Sequence, residues 1–286
     1  MRKIAIMAIM AIIVMLGIAV ASDILGGRSR VVVFSAPTLA GVAEEAAATY
    51  GAELVDIRSV GSVLGVRIIQ SGNVPDVFMS VDWELLKFIK PRRILDLGRF
   101  QLKIVCRQDY SLTDIGRVRL GVANPNTAPI GYRALAALYW LEVRYGVASA
   151  EEISRGLNIT YIYDSSSRTV RIDVRGFQAS GRFVARDDLA GVAALLEGGA
   201  VDCIFAHSPF IISRGYENHF KVLDVPGDID FTQDPPVSFT AETQTGLIEV
   251  KAFRAFAASF TQSGDEFLKA LEGVPLTRYG LLKGLG

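Results

Sequence analysis

Residues 119–133 read RLGVANPNTAPIGYR: a buried apolar strand, a Pro-containing loop and the start of a helix. That order places unpaired backbone N–H groups and the positive end of a helix dipole at one point, which favours an anion. The pattern recurs. Residues 31–38, VVVFSAPT, form another strand running into a hydroxyl-bearing helix start, and Val60-Gly61-Ser62 precedes a further helical pattern. Three helix starts furnished with small or hydroxyl residues predict a cleft that holds an oxyanion.

The flanking sequence fits an α/β chain. Residues 31–34 are a β-branched run of the kind found in buried parallel strands. A helix over 39–50, a strand over 52–57, a helix over 62–70, a strand over 76–79 and a short helix over 83–88 follow. This βαβαβ order predicts a parallel sheet with helices on both faces. A strand over 102–106 leads out of this unit, and the 119–123 strand opens a second βα series. That series runs through helices over 132–145 and 149–155, a strand over 170–177, a helix over 187–198, a strand over 201–205 and a short helix over 209–213. Residues 224–236 are rich in Pro and Asp and read as a crossing back, completed by a strand over 253–260 and a helix over 265–272. The predicted division is lobe 1 from 29–104 plus 231–286 and lobe 2 from 105–230.

At 286 residues the chain supports two lobes with substantial cores. Lys plus Arg balance Asp plus Glu at 30 each, so nothing in the bulk charge draws nucleic acid, and anion selectivity must be local. Arg2 and Lys3 precede an unbroken apolar run over 4–21 that ends in Ala19-Val20-Ala21. Residues 1–28 therefore read as a signal peptide with a small-x-small cleavage site, or as an uncleaved N-terminal membrane anchor. Either reading exports the rest of the chain. Cys106 and Cys203 lie in apolar strand-like runs. They read as two buried small hydrophobes, or as a disulfide if their strands are neighbours in an oxidising compartment. Two Cys and two His, far apart, make no zinc pattern. Asn158-Ile159-Thr160 is a glycosylation sequon and points to surface exposure.

Five motifs together resemble a known family: FSAPTL at 34–39, GSVLGVR at 61–67, PDVFMSVD at 75–82, NPNTAPIGYR at 124–133 and ALLEGGAVD at 194–202. They are similar to the archaeal molybdate/tungstate-binding proteins of ABC importers, which are type II solute-binding proteins. The resemblance implies an α/β fold of two lobes, each a mostly parallel sheet flanked by helices, with the ligand in the cleft between them. It implies an extracytoplasmic monomer that hands a small oxyanion to an ABC permease in the membrane, with no cofactor, no resident metal and no catalysis. Carried over by position, its ligand-binding residues are Pro37 and Thr38 with Ser35 nearby, Ser62, the loop Ala128, Pro129 and Ile130, then Ala206 with His207 beside it, and Asp228 in a late closing loop. Tyr132 is a further candidate donor.

One departure bears on the chemistry. In that family two carboxylates of the second lobe approach the metal and give six-coordinate molybdate or tungstate; the matching positions here are Ala128 and Ala206. A set of hydroxyls, backbone N–H groups and Tyr132 or His207 suits an intact tetrahedral oxyanion held by hydrogen bonds. Sulfate or another oxyanion thereby becomes an alternative cargo, and a paralogue that has lost transport is a further one.

Each candidate has a structural reading too. Thr38 and Ser62 read equally as helix N-caps, His207 as a hinge or capping histidine, and Tyr132 as hinge packing. Arg133 reads as the partner of a carboxylate such as Asp202. Asp76 and Asp82 read as loop or cap residues, and Tyr139 with Trp140 as core. An exported α/β hydrolase is disfavoured: the chain has no G-x-S-x-G elbow and no P-loop, and neither His207 nor His219 has an evident nucleophile partner.

Overall fold

The computed structural model describes residues 30–282. The leader expected over 1–28 lies outside them. Among the described residues no helix is long and apolar enough to cross a membrane. Fourteen strands are described: β1 (Val31–Ser35), β2 (Val55–Ser59), β3 (Val77–Ser80), β4 (Arg93–Arg99), β5 (Leu102–Cys106), β6 (Leu120–Ala123), β7 (Thr160–Asp164), β8 (Thr169–Asp173), β9 (Phe183–Arg186), β10 (Cys203–His207), β11 (Lys221–Asp224), β12 (Ser238–Thr243), β13 (Gly246–Glu249) and β14 (Arg254–Ser259). Helices are named below by their residues.

The first sheet has the order β2-β1-β3-β14-β4. β1 pairs in parallel with β2 and β3, while β14 enters antiparallel between β3 and β4. Every residue of β3 is buried, as a strand covered on both faces requires. The helices Ala40–Tyr50, Ser62–Gln70 and Gln262–Glu272 cover this sheet. The second sheet has the order β11-β5-β10-β6-β9. Its centre, β10 and β6, is parallel and wholly buried. The fold is thus the expected two-lobed α/β arrangement, but both sheets are mixed rather than mostly parallel: β14 runs antiparallel to β3 and β4, and β5 antiparallel to β10 and β11.

Three further features differ from the sequence reading. The expected boundary after residue 104 would cut β5, which lies wholly in the second sheet between β10 and β11; the chain crosses at Phe100-Gln101 instead. A third sheet, β13-β12-β8-β7, was not anticipated. It takes Ser238–Glu249 out of the segment assigned to lobe 1, because β12 pairs in parallel with β8. Its central strands β8 and β12 alternate buried and more exposed residues, whereas β7 is almost entirely exposed and shows no such alternation. Its inner face packs on the helix Pro129–Tyr145: Tyr139 meets Tyr161 and Phe239, and the Tyr161 hydroxyl donates to the Leu135 carbonyl at 2.9 Å. That helix also begins three residues earlier than expected, with Pro129 at its first position, where the missing N–H costs nothing.

The two cysteines form a disulfide between directly opposed positions of antiparallel β5 and β10. Asn158 of the sequon sits in the left-handed region at φ 49° and donates its side-chain amide to the Gly176 carbonyl at 2.7 Å.

Candidate functional site

The C-terminal ends of the parallel strands of both lobes converge, which is where ligands bind in open α/β sheets. From the first lobe come Ala36, Pro37 and Thr38 after β1, Gly61 and Ser62 after β2, and Val81 after β3. From the second come Ala128, Pro129 and Ile130 after β6, Asp188 and Leu189 after β9, and His207 at the end of β10. Together they enclose a cavity of about 10 Å³, room for a single water-sized sphere. Thr38, Ser62, Ala128, Ile130 and His207 are all buried. The lobes are closed on each other.

Several contacts across the cleft hold the closure. The Val63 and Leu64 amides, at the start of the helix Ser62–Gln70, both donate to the Thr127 carbonyl of the second lobe at 3.1 Å. Gly61 permits that approach, since a Cβ there would lie 2.6 Å from the same oxygen. Thr38 Oγ1 and His207 Nδ1 share a hydrogen bond of 2.6 Å across the cleft. Deeper in the interface, Arg133 forms a bidentate pair with Asp82, at 2.9 and 3.0 Å, with both side chains fully buried.

The cavity is rich in donors. Helix geometry leaves the first amides of each turn without an intrahelical acceptor. At the 3₁₀ turn Pro37–Leu39 this amide belongs to Thr38, at Ser62–Gln70 to Ser62, and at Pro129–Tyr145 to Ile130, because Pro129 has no N–H. The hydroxyls add to them. Ser62 Oγ accepts from the Val81 amide at 3.2 Å, which leaves its own proton for another acceptor. Neither Thr38 nor Ser62 caps its helix: the N-cap residues are Ala36 and Gly61, and no side-chain capping bond is made. The capping reading of these two residues is thereby replaced.

The electrostatics are less one-sided. Asp188 is the one formally charged residue of the lining, and its Oδ1 caps the helix Leu189–Glu197 by accepting from the Gly191 amide at 2.8 Å. His207 is held neutral: burial, and then the Arg133 charge, push its pKa well below the usual histidine value. Its ring is wedged edge-on against Phe100 and Phe253, with centroids 4.9 and 4.4 Å away.

Of the residues singled out from sequence, Pro37, Thr38, Ser62, Ala128, Pro129, Ile130 and His207 line the cavity. Ser35 and Ala206 are buried within their strands and do not line it; the Ser35 hydroxyl donates to the Ala36 carbonyl at 3.2 Å. Two others are engaged elsewhere. The Tyr132 hydroxyl donates to the Asp82 carboxylate, and the Asp228 carboxylate accepts from Trp140 Nε1 at 2.7 Å, away from the cavity. Arg133 pairs with Asp82 rather than Asp202, which instead accepts from the Arg119 amide at 2.8 Å. Sequence reasoning missed Ala36, Gly61, Val81, Asp188 and Leu189 as lining residues. The signal for Asp188 was its place one residue before a helix that opens after a strand, the same position that marked the other loops.

Solved structures share this architecture. The Azotobacter vinelandii periplasmic molybdate-binding protein superposes with a TM-score of 0.62 at 14% identity, covering 89% of this chain and 100% of that one. PEB3 with L-phospholactate bound gives 0.51 at 10% identity over 89% and 100%. The regulatory domain of HypT from Salmonella typhimurium gives 0.50 at 13% over 85% and 94%. At these identities the likeness establishes the fold. The sequence model of the bacterial extracellular solute-binding protein family matches residues 31–262. The chain belongs to that family.

Proposed function

We propose that the protein captures a small tetrahedral oxyanion outside the cytoplasm, molybdate or tungstate first among them, and presents it as a monomer to an ABC permease. The observation that carries this reading is the closed interlobe cavity, lined by Thr38, Ser62 and Ile130 at three helix starts, residues that bring hydroxyls and helix-start amides as donors for an anion. The Cys106–Cys203 disulfide supports an oxidising, exported setting. The shared fold with a protein described as molybdate-binding supports the cargo. Binding needs no bond making. Closure removes water from the anion, and each hydrogen bond strengthens in the drier surroundings. Sulfate is the second reading, because Ala128 contributes no carboxylate at the cavity and the remaining donors recognise any tetrahedral dianion.

Calorimetric titration with tungstate, molybdate, sulfate and phosphate tests both. Tight tungstate or molybdate binding with weak sulfate supports the first reading, and tight sulfate binding supports the second. No heat from any of the four overturns the oxyanion function. Thr38→Ala and Ser62→Ala each remove a hydrogen bond to a charged group. Each is expected to weaken binding by about 1.5–3 kcal/mol, roughly 10- to 150-fold in Kd. Wild-type affinity in both variants and in their combination would place the ligand elsewhere.

A further inference from the structure

We propose that His207 takes up a proton from solvent when the dianion binds, so that the protein supplies the positive charge its cavity otherwise lacks. The proposal rests on the oxyanion reading above and adds to it the means of charge compensation.

The fixed formal charge of the lining is that of Asp188, and it has the same sign as the ligand. The nearby buried cation, Arg133, is committed. Its two terminal nitrogens hold the Asp82 carboxylate and its Nε donates to the Lys251 carbonyl at 2.8 Å. A helix start contributes roughly half a charge, and that of Ser62–Gln70 is already engaged by the Thr127 carbonyl. A dianion closed into this space with Asp188 is therefore under-compensated, and His207 is the lining residue that can become a cation.

His207 faces the Thr38 hydroxyl from the first lobe at Nδ1, and the edges of Phe100 and Phe253. The Arg133 guanidinium lies 4.4 Å from the centroid of the Phe253 ring and is paired with Asp82. Asp188 lines the same cavity. When Nδ1 is unprotonated it accepts the Thr38 proton and turns that hydroxyl away from the ligand. An imidazolium reverses the bond: Nδ1–H donates to Thr38 Oγ1, and the Thr38 proton is released to the anion. The neutral Nδ1–H tautomer frees the same donor but brings no charge; the imidazolium supplies both. No other bond is made or broken.

The sign follows from linkage. His207 has a low pKa in the free site, held there by burial and then by Arg133, and a raised one beside the dianion. Binding strength is therefore fullest at low pH and is lost as pH rises through the pKa of the complex, by up to tenfold per unit.

The test is titration of tungstate into the protein at about pH 6.5, near the ordinary histidine pKa, in buffers of different ionisation enthalpy. The slope of observed heat against buffer enthalpy counts protons. An uptake approaching one per anion, together with weaker binding at higher pH, is expected. His207→Asn, which keeps a polar group near Nδ1, is expected to remove the buffer dependence, and Asp188→Asn to keep it. Tight tungstate binding with no proton uptake by the wild-type protein overturns the proposal and leaves the oxyanion function standing. So does uptake that survives His207→Asn or vanishes in Asp188→Asn, since the proton then sits on the carboxylate. Binding confined to phosphate, which brings its own proton, overturns it as well. No heat from tungstate, molybdate, sulfate or phosphate overturns the oxyanion reading and this inference with it.

Discussion

Arg133→Met is expected to lower the free energy of unfolding by about 3–5 kcal/mol, the cost of leaving a buried charge without its partner. Asp82 is fully buried behind β3, and its two carboxylate oxygens take the two terminal nitrogens of Arg133. With methionine at 133 the carboxylate keeps only the Tyr132 hydroxyl and the Glu84 amide. It also loses the cation that stacks 4.4 Å over Phe253. The phenol cannot take over as a charge partner. Burial, and then the charge of Asp82, hold its pKa well above the ordinary tyrosine value, so it stays a neutral donor. Adding Asp82→Asn to Arg133→Met removes the stranded charge, and the double variant is expected to be more stable than Arg133→Met alone. Urea unfolding of the three variants measures this. A loss below about 1 kcal/mol for Arg133→Met would mean that the pair is not desolvated as its burial indicates. Because Asp82 belongs to the first lobe and Arg133 to the second, the pair also fixes how the cleft closes.

That pair marks the limit of what the sequence discloses. The strand-loop-helix reading of residues 119–133 survives in β6 and the helix Pro129–Tyr145, and the helix Ser62–Gln70 has the bounds its apolar spacing predicts. Local pattern was enough there, because buried β-branched runs and Pro at a helix start are set by the nearest few residues. Arg133 shows the opposite case. Its carboxylate lies 51 positions upstream in the other lobe, and no local rule chooses Asp82 over Asp202. The same holds for β12, whose burial alternates as a half-exposed strand should but whose partner β8 comes from a distant part of the chain. Thr38 and Ser62 were found for a sound reason and given a wrong alternative role. Each stands one or two residues inside the N-cap, close enough to mimic a cap in sequence, yet its hydroxyl is turned to the other lobe or to the neighbouring loop. Asp188 was missed because its capping role, which the structure shows, accounts for an aspartate at that position without any appeal to a ligand.

Removing the Cys106–Cys203 disulfide is expected to cost about as much as losing the ion pair. The two residues are 97 positions apart, and in the chain-entropy account a cross-link over about 100 residues stabilises by about 4.7 kcal/mol, with measured losses of about 2–5 kcal/mol. Both residues are fully buried in the second sheet, so a Cys106→Ala/Cys203→Ala variant also gives up some packing. The position of the bond separates its effect on stability from any effect on binding. It joins the start of β10 to the end of β5, while His207 lies at the far end of β10, paired there with Leu102. A cross-link that acts mainly on the unfolded chain leaves the folded site unchanged. The double variant is therefore expected to unfold at markedly lower urea and yet, under conditions where it remains folded, to bind its anion with wild-type affinity. Urea midpoints with and without reductant, and calorimetry on the folded variant, check the two halves separately. If affinity fell along with stability, the disulfide would be holding β10 in place in the folded state, and His207 would depend on it for its alignment with Thr38.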